Sequence, residues 1–202
     1  MNDTIDRQSA YIALALALLM AATRSDHFAT AFHLPDASGA VFFLAGFYLR
    51  PASMFAALIA LAGLNDYVAI AWLGVNDFCV SPAYGFLLPA YGMLWLAGRW
   101  YAGRYRFALY TLIPLTGSLL IGAVLCEIVS GGGFYFFSGR FAETNFAEFG
   151  LRFLRYFPAV LESLALWIGF ASVAHSAFVL AAKRSIQSRS AGEAGSIEPG
   201  KR

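Results

Sequence analysis

The chain has 202 residues, 59% of them hydrophobic and only 13% charged, with a formal net charge of +2, and its mean hydropathy is +0.63. Soluble domains carry about 25% charged residues, so a water-solvated globule is excluded, and so small a charge offers nucleic acid no basic face. Long uncharged runs of Leu, Ala, Phe and Gly mark a helical membrane protein, and nothing alternates as a β-barrel strand must. The first apolar run, Gln8–Thr23, is short enough to pass for a signal peptide. Asp3 and Asp6 stand against Arg7 ahead of it, where a signal would be positive. It therefore reads as a retained first span, with a cleaved signal as the alternative.

Ser38–Leu49 comes next and is too short to cross a bilayer squarely. Arg50-Pro51 follows it, and proline disfavours helix at the residue before it, which predicts a tight cytoplasmic turn. Four further runs are Ala52–Leu73, Tyr84–Gly98, Phe107–Val129 and Leu151–Ala182, giving six transmembrane helices in all. Five spans plus a re-entrant segment is the alternative. Residues 1–184 thus form one transmembrane domain, and 185–202 form a polar, Ser- and Gly-rich cytoplasmic tail expected to be disordered.

Arg7, Arg50, Arg99, Arg104, Arg106, Lys183, Arg184 and Arg189 fall on one side of these spans. Arg24, Arg140, Arg152 and Arg155 fall on the other, so the positive-inside rule places both termini in the cytoplasm. Asp66, Glu127 and Arg155 then lie towards the outer face, with Glu162 about mid-membrane. Ionisable groups at membrane depth are costly and usually face a cavity or a partner, so their bias to one side suggests an outward-facing ligand cavity. The plain alternative is that Glu127 and Glu162 pair with Arg152 and Arg155. Ser130–Gly150 reads as an outer loop in which Phe134, Tyr135, Phe136 and Phe137 follow three glycines as a flexible aromatic flap.

In the first span, Ala13, Ala17 and Ala21 make a small-residue stripe that suits either internal packing or docking of a membrane partner. His175 reads as a packing residue, and His27 and His33 as loop surface. There is no GxxxxGK[ST] loop, so no ATP is bound in the P-loop manner.

The loop GVNDFCVSPAYG (74–85) holds Cys79, one of two cysteines. A free thiol often behaves as a small hydrophobe, but turn residues surround this one. A disulfide with Cys126 needs matching geometry. Nucleophilic catalysis needs a base, for which His27 and His33 are the candidates. A single thiolate also suits a late transition metal that a macrocycle brings with it. The residues alone leave nucleophile and ligand open.

The stretches SDHFATAFHLPDASGAVFFLAGFYLRP (25–51), LNDYVAIAWLG (64–74) and NDFCVSPAYG (76–85) resemble the BtuM family of small cobalamin transporters. These are similar to the substrate-binding S-components of energy-coupling factor transporters. The resemblance covers roughly residues 8–182 and implies an S-component-like six-helix bundle in the bacterial cytoplasmic (inner) membrane. It implies a cobalamin cavity open to the periplasm, over which the outer loops close. It also implies Cys79 as the axial cobalt ligand, with decyanation of cyanocobalamin as an accompanying chemistry. Asp66, Tyr67 and Tyr84 lie in the matching segments as further contacts, joined by Phe134 and Tyr135 of the aromatic segment. The Ala13/Ala17/Ala21 stripe is similar to the motif with which S-components dock a partner. The other two readings are a membrane thiol enzyme built on Cys79 and a ligand-free accessory subunit.

Overall fold

The computed structural model describes residues 2–24, 34–49, 51–74 and 81–195. The described residues contain six α-helices and no strand: α1 (Asn2–Arg24), α2 (Ser38–Tyr48), α3 (Ala52–Leu73), α4 (Leu87–Ala102), α5 (Leu112–Phe137) and α6 (Phe146–Gly195). One 3-10 turn, Pro82–Phe86, leads into α4, and another, Leu109–Thr111, leads into α5. Three helical stretches are long and apolar enough to cross a bilayer, Ala52–Leu73, Leu109–Phe137 and Phe146–Ser185. They make the chain an all-helical membrane protein. Their outward residues are large and apolar, as lipid requires, with Trp72 and Ile113 each 77% exposed.

The chain divides into two units, Met1–Ala165 and Leu166–Arg202. The second is the later part of α6, where Phe170, Val173 and Phe178 are exposed and Trp167 contacts Phe170 at 6.3 Å between ring centroids. The first holds everything else that follows.

At its centre lies α2. Eleven residues at about 1.5 Å each give about 16 Å, half of a bilayer core of about 30 Å. Residues 40–46 are all buried, and Phe42 stacks on Tyr91 of α4 at 4.3 Å. The crossing of α2 on α4 is set by two glycines. A Cβ at Gly46 would run into the Trp95 carbonyl, and one at Gly98 into the Phe43 carbonyl. Each helix therefore presents bare backbone to the other, the close approach that small residues allow between membrane helices. The expected turn at Arg50-Pro51 lies partly outside the described residues, but Pro51 is the N-cap of α3 with φ of −68°. At the far end of α3 Gly74 takes φ of 70°, a left-handed C-cap that glycine adopts without steric cost.

The aromatic segment departs from the sequence expectation. Residues 130–137 are not a loop: α5 continues without a break through Gly131, Gly132 and Gly133 to Phe137. Each glycine inside a helix costs roughly 1 kcal/mol against alanine. Packing offsets that cost, because a Cβ at Gly133 would collide with Phe86, and one at Gly132 would press on Phe149 at 3.3 Å. The glycine run is a seat for aromatic rings, and Phe134 to Phe137 are held on a helix. The last helix also reaches further than the apolar run predicts, to Gly195 inside the segment expected as a tail.

Candidate functional site

Arg24, at the end of α1, is by sequence one of the outer flanking charges. In the structure its side chain turns inward and is only 8% exposed. Its Nε donates to Asp66 Oδ1 at 2.7 Å and its Nη2 to Asp66 Oδ2 at 2.8 Å, a two-pronged ion pair with α3. The remaining nitrogen, Nη1, donates to Tyr91 OH at 2.8 Å and Ser38 Oγ at 3.0 Å. Tyr84 OH, from the 3-10 turn, donates to Asp66 Oδ2 at 2.6 Å. Ser38 passes the network on, since its hydroxyl donates to Asp36 Oδ1 at 2.7 Å. Ser163 of α6 closes it by donating to the Asp36 carbonyl at 2.6 Å.

This arrangement answers a simple electrostatic demand. A guanidinium and a carboxylate taken out of water need each other and need their remaining donors and acceptors filled. Three further segments, α2, the 3-10 turn and α4, supply what Arg24 and Asp66 leave open. Two segments of the chain near these residues in sequence lie outside the described residues. Residues 25–33 run from Arg24 to Leu34, and 75–80 from Gly74 to Ser81. Cys79, His27 and His33 belong to those segments and lie outside the described residues. So does Asp77.

Two groups near the cluster residues in sequence, Asn65 Nδ2 and Ser81 Oγ, are buried with no hydrogen-bond partner among the described residues. Asn65 precedes Asp66, and Ser81 opens the turn that carries Tyr84. Tyr67, in contrast, is 64% exposed.

Two cavities border Glu127 of α5. The first, of about 350 Å³, is lined by Asp36, Tyr91, Cys126, Glu127, Ser130 and Ser163 together with apolar side chains. The second, of about 310 Å³, sets Glu127 among Phe134, Tyr135, Phe141, Phe149 and Arg152, among others. Arg152 does not pair with Glu127. It donates from Nε and Nη2 to Glu148 Oε1 at 3.1 and 3.0 Å, and Tyr135 OH donates to Glu148 Oε2 at 3.1 Å. Its guanidinium lies over the Tyr135 and Phe141 rings at 5.4 and 4.6 Å. Among the described residues no donor meets the Glu127 carboxylate.

Of the four ionisable groups expected to converge, the structure brings Asp66 into the Arg24 cluster and sets Glu127 between the cavities. Arg155 and Glu162 are exposed on α6 and join neither. Phe134 and Tyr135 share the second cavity, while Asp66 and Tyr84 share a hydrogen bond. Cys126, the other thiol, is free and buried. Ala13, Ala17 and Ala21 are half-buried beside the inward residues Leu16 and Met20 of α1. No group of three His, Cys, Asp or Glu able to hold a metal occurs among the described residues.

Arg24 and Tyr91 escaped sequence reasoning. Arg24 directly follows an apolar run, so hydropathy ends the span there and hands the charge to the loop. Tyr91 sits inside an apolar helix as one aromatic among several. Compared with known protein families and with curated proteins, the chain matches none.

Proposed function

We propose that this chain is a corrinoid uptake protein of a bacterial inner membrane, built as a six-helix bundle with both termini in the cytoplasm. It takes cobalamin from the outer side, with Cys79 as the axial ligand to cobalt. One observation carries this reading. Asp36 and Ser38, Asp66, and Tyr84 come from the three separate stretches that resemble BtuM transporters, and they meet around Arg24 in one hydrogen-bonded cluster. Packing alone does not ask for that. Tyr84 follows Cys79 by five residues in the chain and is held by the cluster through Asp66.

The two cavities, about 310 and 350 Å³, are each too small for a whole corrinoid. In this reading the corrin ring lies outside both cavities. Thiolate binding at cobalt is a ligand exchange, which a soft sulfur donor favours. With cyanocobalamin, a Co–S bond forms, the Co–C bond breaks and cyanide leaves with the electron pair, so cobalt keeps its oxidation state.

The test is metal analysis and a visible spectrum of protein purified from cobalamin-containing medium. The expected result is one cobalt per chain and a base-off spectrum that Cys79→Ala shifts or abolishes. Stoichiometric cobalamin with the same spectrum and affinity in Cys79→Ala would remove the thiol from the site. Absence of cobalt from the wild-type protein would remove the corrinoid.

A further inference from the structure

The cavity of about 310 Å³ has both an unused acceptor and an unused donor. Glu127 meets no donor among the described residues. Arg152 gives Nε and Nη2 to Glu148, and its Nη1 donates to nothing among the described residues. Around them stand Phe134, Phe141, Phe149 and Phe153, with the Tyr135 hydroxyl already given to Glu148 and the Tyr156 hydroxyl as the remaining polar group of the lining. The Glu127 side chain lies back along its own helix, and a Cβ at Gly131 would come 2.7 Å from Oε1. Glycine at 131 thus leaves the carboxylate its place at the cavity wall.

Charge decides what such a cavity accepts. Glu127 and Glu148 against Arg152 leave one negative charge uncompensated, so an anionic ligand is repelled. A cation finds the ring faces of Tyr135 and Phe141 already occupied by the Arg152 guanidinium. A neutral group with one acceptor and a donating N–H uses both free partners, and a primary carboxamide has that pattern.

We infer that this cavity is a primary-carboxamide site, in which the amide oxygen accepts from Arg152 Nη1 and the amide nitrogen donates to Glu127. The inference rests on the corrinoid reading above and sharpens it, because a corrin ring carries primary carboxamides on arms around its edge. A cavity of this size takes one arm and leaves the ring outside. Glu127 and Arg152 then set specificity for the ligand's rim, and Cys79 for its metal.

The experiment uses the full chain, titrated with hydroxocobalamin and with cobalamin monocarboxylates in which one peripheral carboxamide has been hydrolysed. In the wild type, one of these places a carboxylate against Glu127 and binds at least about tenfold more weakly than hydroxocobalamin. Glu127→Gln closes most of that gap, since glutamine can donate where glutamate only accepts. Gly131→Ala displaces the carboxylate without changing charge and narrows the same gap, which keeps the test open where Glu127→Gln does not fold. Equal binding of every monocarboxylate to the wild type overturns the amide site, as does a gap that both variants leave unchanged; corrinoid binding survives either result. Failure of hydroxocobalamin itself to bind overturns both readings together.

Discussion

The crossing of α2 on α4 and the cluster around Arg24 are both buried, yet they are made of opposite materials. At the crossing, Gly46 and Gly98 bring backbone against backbone, and Phe42 and Tyr91 lie flat on each other beside it. Nothing there depends on charge. At the cluster, one guanidinium and one carboxylate hold together α1, α2, α3, the 3-10 turn and α4. The first region can serve as a fixed frame because its contacts are short-range and cannot be re-paired. The second is polar, assembled from side chains of separate elements, and can exchange partners when a ligand brings its own polar groups. Tyr91 belongs to both, stacked on Phe42 and accepting from Arg24, so the frame holds one end of the cluster still.

Breaking the frame should have the largest effect. Gly98→Val puts a Cβ where the Phe43 carbonyl stands and adds two methyl groups to it, and the carbonyl is backbone that cannot step aside. Overpacking of a tight core typically costs 1–3 kcal/mol, and a collision with backbone costs more, about 4 kcal/mol or above. The measurement is the thermal midpoint in detergent, with the expectation that the variant is lost to aggregation or melts far below the wild type. A midpoint within a few degrees of wild type would mean that the helices do not cross as closely as described.

Breaking the cluster should cost less and should depend on which half is removed. Arg24→Ala leaves the Asp66 carboxylate with only Tyr84 to answer it, an unpaired buried charge worth about 3 kcal/mol of stability. Replacing both partners by apolar residues, Arg24→Met with Asp66→Leu, should recover a good part of that loss. Tyr84→Phe removes one charge-assisted hydrogen bond, about 1.5 kcal/mol. Hydrogen exchange of residues 81–86 should rise in Tyr84→Phe and stay unchanged at the α2–α4 crossing. A rise at both would show that the two regions are one mechanical unit.

How much of this could be read in the sequence follows the same division. The helices were legible because hydropathy reports them directly, and Pro51 and Gly74 punctuate α3 where turn chemistry says they should. The length of α2 was legible too, as a run too short to cross. The glycine run 131–133 misled, because glycine is a loop signal unless an aromatic ring sits where its Cβ would be, and Phe86 and Phe149 are distant in sequence. The cluster was half legible: Asp66 stands out as a charge in an apolar run, and Tyr84 as a neighbour of the Cys79 segment. Its organising cation was not, since Arg24 ends an apolar run like any flanking arginine. Pairing between residues 42 apart is a tertiary fact, and no local pattern announces it.

The smallest effect should come from the carboxylate that looks most anomalous in sequence. Glu162 is 16 residues beyond the start of α6, about 24 Å along the helix and so within a bilayer core. It resembles Glu127 in sequence, a lone acid among apolar residues, but Glu127 faces two cavities while Glu162 is exposed and bonds to nothing among the described residues. Glu162→Gln should therefore change stability in detergent by less than about 0.5 kcal/mol, as surface substitutions do. In a bilayer the same substitution should be neutral or mildly stabilising, because an exposed carboxylate at that depth is a cost that glutamine reduces. A clear loss in the bilayer but not in detergent would give Glu162 a basic partner on another chain, and the exposed face of α6 would then be an interface.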